Sequence, residues 1–216
     1  MATSKGNCYL CGKELGKGVM KNHILKTHFT EGGDQKAYLL KAEGKYNKDY
    51  WIYFDVPVST NLSTVDRFLR DIWLECCGHM SAFSYGNYEE IKMSSKLYTF
   101  SEGTQLLHEY DFGSTTYTTV TFVAKTMRPA QKKAVRVLAR NIPPVFPCGQ
   151  CGASTAAYID PEAFYEDRDP FYCESCAEEL DEEEYLLRVT NSPRMGVCGY
   201  EGQLDTFSFI PSELLK

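Results

Sequence analysis

The sequence predicts an α+β fold: a mostly antiparallel sheet with one main helix, bracketed by a small cysteine-bearing module at each end. Three observations lead there. Short runs rich in aromatic and β-branched residues recur between turn-forming residues, as strands do. One longer segment carries apolar residues at helical spacing. Two sets of four Cys and His residues at zinc-ligand spacing stand near the two ends of the 216-residue chain.

Residues 1–29 hold Cys8, Cys11, His23 and His28 in the pattern C-x2-C-x11-H-x4-H. Zinc accepts four sulfur or nitrogen ligands in a tetrahedron, and a C-x2-C turn presents two of them together. This is a C2H2-like zinc finger, one residue shorter than the common spacing. Leu15 and Met20 stand where such a finger places its small core. Residues 30–36 (TEGGDQK) read as a flexible connector. Strands are expected at Ala37–Ala42 and Tyr50–Val58, joined by a polar turn near Gly44 and Asn47.

The main helix is expected from Ser63 to Cys77, with Val65, Phe68, Leu69, Ile72, Trp73 and Cys76 on one apolar face. Ser63 and Asp66 have the spacing of a capping box, and Gly78 stands where a helix stops. Further strands are expected at Ser81–Tyr85, Lys96–Phe100, Leu106–Phe112, Tyr117–Lys125 and Ala134–Arg140. The last two suggest a long hairpin across Met127–Lys133. The run IPPVFP at 142–147 cannot continue a central strand, because proline lacks the amide donor. It closes the α+β core of residues 37–147 and opens a second module at 148–216.

That module carries Cys148, Cys151, Cys173 and Cys176 as C-x2-C-x21-C-x2-C, the spacing of a zinc ribbon. Finger and ribbon each supply four protein ligands and no open position. Two structural zinc ions are therefore expected, rather than a catalytic one. A redox C-x2-C would come as a single motif in a thioredoxin-like unit. Nine cysteines with no secretory signal suggest reduced thiols and a cytoplasmic setting. No apolar run approaches the ~20 residues of a membrane helix.

The net charge of −6 conceals a gradient. Residues 1–48 hold nine lysines and four acids, residues 49–147 ten bases and ten acids, and residues 148–216 four bases and fifteen acids. A basic end suits phosphates and an acidic end repels them. In the finger, base-edge positions fall on Gly16, Val19 and Asn22, and only Asn22 can hydrogen-bond a base. Lys17, Lys21 and Lys26 suit phosphates, which position a protein without specifying sequence. The expected partners are nucleic acid at the finger, or a protein at the core or the acidic ribbon, where Asp167, Asp169, Glu174, Glu178 and Glu179 gather.

Other chemistry is thin. Cys76, Cys77 and His79 raise the possibility of a third metal site, but Cys76 falls on the apolar face and reads as a buried hydrophobe. Cys198 lies between Gly196 and Gly199 with no identifiable base, and His108 reads as a satisfied interior histidine. An enzyme built on the middle segment would need a pocket joining Glu109, Asp111, His108 or His79. Asp111-Phe112-Gly113 spells the kinase magnesium tripeptide without the other kinase motifs. No catalytic residue is assigned.

Three stretches together carry a family resemblance: LSTVDRFLRDIWLECCGHMSAFSY at 62–85, LHEYDFGSTT at 107–116, and FYCESCAEE through EEYLLRVTNSPRMGVCGYEG within 171–202. They resemble the Ri-plasmid ORF-3-like family, also described as transposon-passenger proteins. The resemblance spans roughly residues 37–202 and leaves the finger outside as an added module. It implies an α+β fold and an association with plasmids and insertion elements, hence mobile-DNA biology in bacteria or archaea. It carries over no catalytic residues. Many relatives have a tryptophan after YDFG, where this chain has Ser114, Thr115 and Thr116.

Overall fold

A computed structural model describes residues 4–29, 33–86, 89–180 and 185–202. Nine strands form one antiparallel sheet: β1 (Lys5–Cys8), β2 (Glu14–Gly16), β3 (Gln35–Gly44), β4 (Trp51–Pro57), β5 (Ser81–Ser84), β6 (Glu90–Ile91), β7 (Gln105–Tyr110), β8 (Thr116–Arg128) and β9 (Arg136–Asn141). Their spatial order is β2-β1-β9-β4-β3-β8-β7-β5-β6. Three short strands, β10 (Tyr158–Ile159), β11 (Phe171–Tyr172) and β12 (Leu187–Arg188), form a second sheet in the order β11-β10-β12. The helices are α1 (Lys17–His28), α2 (Leu62–Leu69) and the single turn α3 (Glu174–Ala177). Antiparallel sheet thus dominates an α+β arrangement.

The middle strands read as nearly continuous apolar runs because both faces of the sheet are covered. Tyr38, Leu40, Ala42, Ile52, Phe54 and Val56 pack on the side of α2. Leu39, Trp51 and Tyr53 point to the other side, where Met20 and Ile24 of α1 meet them. This alternation follows the period of two along each strand. All seven residues of β4 are buried as a result.

Several expectations are corrected. Among the described residues no single main helix exists: α1 is the longest at 12 residues, and α2 spans only eight. The segment after α2 continues as a π-helical turn, Arg70–Leu74, in which Ile72, Trp73 and Leu74 are all buried. Three consecutive buried residues exceed the stripe that one face of a regular α-helix provides. The predicted capping box is absent, because Asn61 occupies the N-cap position and no side chain caps it. Asp66 instead accepts hydrogen bonds from Ser81 Oγ at 2.6 Å and His108 Nε2 at 2.8 Å.

The segment expected as strand 96–100 contains a 3-10 turn at Leu97–Thr99. β8 and β9 do not pair with each other as a hairpin. β8 lies between β3 and β7, and β9 lies between β4 and β1. Burial of both sheet faces decides this, because two long-range partners serve β9 better than one local turn. Gln35 and Lys36, placed in the connector, already belong to β3, and residues 30–32 lie outside the described residues.

The finger does not stand apart. β1 extends the main sheet through Gly6↔Asn141, Asn7↔Arg140 and Cys8↔Ala139. Gly6 is required at this seam: a Cβ there would sit 2.3 Å from the Arg140 carbonyl oxygen and 2.4 Å from the Trp51 ring.

Candidate metal centres

Three groups of cysteine and histidine draw their ligand atoms within 4.8 Å of one another: Cys8, Cys11, His23 and His28; Cys148, Cys151, Cys173 and Cys176; and Cys76, Cys77, His79 and Cys198. With Zn–S near 2.3 Å and Zn–N near 2.0 Å, a regular tetrahedron separates two sulfurs by about 3.8 Å, two nitrogens by about 3.3 Å and a mixed pair by about 3.5 Å. These distances test whether each group fits a metal.

At the finger, β1 ends on Cys8, and the turn to β2 brings Cys11 alongside. The Gly12 amide donates to the Cys8 carbonyl at 2.8 Å, and the Cys8 amide donates to the Lys13 carbonyl at 2.9 Å. α1 supplies both histidines. Cys8 Sγ lies 3.5 Å from His28 Nε2, Cys11 Sγ lies 3.3 Å from His23 Nε2, and the two Nε2 atoms are 3.3 Å apart. These are tetrahedral edges. Thr27 Oγ1 lies 3.4 Å from His23 Nδ1, on the side of the ring away from the other ligands. Burial, then the charge of Lys13, holds His23 below its ordinary pKa. Burial, then His23, Arg136 and Lys13, does the same for His28. Both favour the neutral imidazole that ligates metal.

The ribbon builds its first knuckle between Pro147 and Thr155, which pair across the turn. Its Gly152 amide donates to the Cys148 carbonyl at 2.8 Å, repeating the finger's geometry. The second pair follows β11, with Cys173 at the N-cap of α3 and Cys176 within it. Cys151 Sγ and Cys173 Sγ are 4.0 Å apart. Backbone amides of Cys151 and Cys173 draw the Cys148 thiol down to about 6, while the neighbouring Cys173 sulfur pushes the Cys176 thiol up to about 12. Asp167, Asp169, Glu174, Glu178 and Glu179 are exposed around this module, while residues 181–184 of the acidic run lie outside the described residues.

Of the third group the sequence offered Cys76, Cys77 and His79 but not Cys198. Cys76 follows the π-helical turn, half-buried and packed against the edge of the main core. Cys198 arrives from 121 residues later in the chain, and its sulfur stands 3.7 Å from Cys77 Sγ and 3.2 Å from His79 Nε2. Cys77 Sγ also lies 3.7 Å from Cys76 Sγ and 3.0 Å from His79 Nε2. A shared signal was present in the sequence: Cys11-Gly12, Cys77-Gly78, Cys151-Gly152 and Cys198-Gly199 all place a positive-φ glycine after the cysteine.

The proposed phosphate contacts divide. Lys17 is engaged, with Nζ 2.5 Å from Glu43 and 2.8 Å from the Lys48 carbonyl oxygen. Lys21, Asn22 and Lys26 are exposed on the outer side of α1. Gly16 precedes the helix, and Val19 is 57% exposed at its first turn.

The candidate catalytic groups part in two. His108 is fully buried against Asp66 and Phe83, whereas His79 joins the cysteines with Nε2 3.5 Å from Asp111 Oδ2, and Asp111 also binds Arg194. A pocket beside α2 is lined instead by Asp66, Arg67, Arg70, Asp71 and Glu75. No helix among the described residues is long and apolar enough to cross a membrane.

No family model matches this chain, and no curated protein matches it either. Among solved structures, the chain is similar to a protein of unknown function from Methanosarcina mazei Go1, with 17% identity and a TM-score of 0.44, over 49% of this chain and 69% of that one.

Proposed function

We propose that this chain is a zinc-stabilised, non-enzymatic binding protein whose basic N-terminal end contacts nucleic-acid phosphates. The finger and ribbon groups would each hold one structural zinc ion. One observation carries the binding reading: α1 buries Met20 and Ile24 against the main sheet and leaves Lys21, Asn22 and Lys26 facing outward. The helix is thereby immobilised with its cations presented. Lysines on such a surface bind phosphate without reading sequence, and no arginine stands at a base-edge position. The link to mobile elements rests on the Ri-plasmid ORF-3-like resemblance alone.

The test is a salt titration of binding to single- and double-stranded DNA and RNA. Affinity is expected to fall linearly on a log–log plot, with a slope that shrinks when Lys21 and Lys26 become glutamate. No binding at low salt would remove the nucleic-acid reading.

A second reading, a protein–protein adaptor, is favoured by a groove lined by Leu25, Phe29, Val58, Tyr98 and Met127, with Lys36 and Lys125 at its side. Tyr98 and Met127 are 59% and 44% exposed there. Such a groove suits a peptide with apolar anchors and acidic flanks. Partner capture that survives charge reversal at Lys21 and Lys26 but fails for Tyr98→Ala would favour it.

A further inference from the structure

We propose that Cys76, Cys77, His79 and Cys198 form a third soft-metal site, of zinc type, that fastens the C-terminal segment to the end of the main sheet. The site goes beyond the finger and ribbon and does not depend on what the protein binds. Its donor set is three sulfurs and one imidazole, the Cys3His combination of structural zinc sites. The two measured S–S separations of 3.7 Å match a zinc tetrahedron and far exceed a disulfide bond, and the S–N separations of 3.0 and 3.2 Å are slightly short.

The backbone is shaped for these ligands. The π-helical turn Arg70–Leu74 ends the helix just before Cys76, and Gly78 at φ +80° turns the chain so that Cys77 and His79 face the same point. On the other side, Cys198 itself has φ +51°, between Gly196 at +75° and Gly199 at +66°. A non-glycine residue in that region is strained, and such conformations persist where the surroundings impose them.

The surroundings are also those of a metal–thiolate centre. Three thiolates outweigh a divalent cation by one negative charge. Arg194, fully buried, is shared between that charge and the Asp111 carboxylate: Nη2 lies 3.4 Å from Cys76 Sγ and 2.7 Å from Asp111 Oδ2, which itself lies 3.5 Å from His79 Nε2. Nη1 is held by the Ser114 carbonyl at 3.1 Å and Thr116 Oγ1 at 3.0 Å, so the guanidinium cannot turn away. Outer groups of this kind orient and tune metal ligands. The same segment is anchored by Ser192 Oγ donating to the Trp73 carbonyl at 2.5 Å and by the buried Tyr200.

The experiment is metal counting by inductively coupled plasma mass spectrometry on the full chain, purified without chelator. Wild type is expected to carry three zinc ions and Cys198→Ser two. Cys11→Ser and Cys151→Ser each remove one ion from a different site, so loss of the finger or ribbon reading is separable. A wild-type count of two that falls to one in Cys198→Ser still supports this site. A count unchanged by Cys198→Ser overturns it. Should that variant fail to fold, His79→Ala replaces it: a count one ion below wild type supports the site, and an unchanged count overturns it. A Cys77–Cys198 disulfide found by non-reducing mass analysis of the freshly purified protein would also overturn it.

Discussion

Asp55 stands in the middle of β4 with no solvent access and two guanidiniums on its oxygens. Arg128 Nη1 donates to Oδ1 at 2.7 Å, and Arg136 Nε donates to Oδ2 at 3.0 Å, its Nη2 also bonding that oxygen. Asp55 and Arg128 are both fully buried. Removing one member of a buried ion pair strands the other, at a cost of about 3–5 kcal/mol. Asp55→Ala is expected to lower stability by that amount, read from the urea midpoint. Glu43 behaves differently because its partners sit nearer the surface. Burial pushes its carboxyl up, but hydrogen bonds from Lys17 and Lys41 outweigh burial and hold it below the ordinary value. The folded state then binds this proton more weakly than the unfolded chain. The stabilisation is complete above the unfolded value of about 4.3 and is lost as pH falls through the folded one. Glu43→Gln should therefore unfold more easily near neutrality and show a flatter stability profile in acid, measured by urea unfolding across pH. The same change removes the ion pair of Lys17 but leaves its bond to the Lys48 carbonyl, and phosphate binding should gain salt sensitivity if Lys17 then joins Lys21 and Lys26.

At the scale of elements, the seam between the finger and the sheet is narrow and depends on Gly6. Its α-carbon lies so close to Trp51 and the Arg140 carbonyl that even a methyl group must push β1 away from β9. Gly6→Ala is expected to cost about 1–3 kcal/mol, the range for overpacking. Amide exchange should rise in β1 and α1 before it rises in β3 or β4. Ile24, buried in the layer beneath α1, tests the same docking from the other side. Ile24→Ala should lower stability by about 2–5 kcal/mol through cavity formation. In the α2 segment, the ladder shift at Arg70–Leu74 buries Ile72, Trp73 and Leu74 together and leaves Cys76 at the core's margin, packed against it while its sulfur lies 3.7 Å from Cys77 Sγ.

Across the whole molecule, stability is unevenly distributed. The main sheet has two apolar layers made from many long strands, whereas the ribbon's strands are two residues each. Such a module lacks the buried area to fold unaided, and metal binding can supply about 10–16 kcal/mol toward its order. Treatment with a strong zinc chelator should therefore leave most of the far-ultraviolet β signal in place. Limited proteolysis should then cut between residues 148 and 190 before it cuts the main sheet. Uniform loss of both signals would show that the sheet depends on the metals as well.

Residue type and spacing determined much of this protein by themselves. Cys8, Cys11, His23 and His28, and the four ribbon cysteines, were legible because each group is assembled from local turns that sequence spacing encodes. Strands β3, β4, β5, β7, β8 and β9 were legible from their apolar and β-branched runs. Tertiary structure alone decided which strands became neighbours, since pairing β9 with β1 and β4 depends on covering both faces of the sheet rather than on any local turn. It also decided the fate of Lys17 at the start of α1, whose partner Glu43 lies on β3. Above all it decided the meeting of Cys198 with Cys77 and His79: no local periodicity links residues so far apart, and only the folding-back of the C-terminal segment onto Trp73, Ser114 and Thr116 brings their ligand atoms to one point.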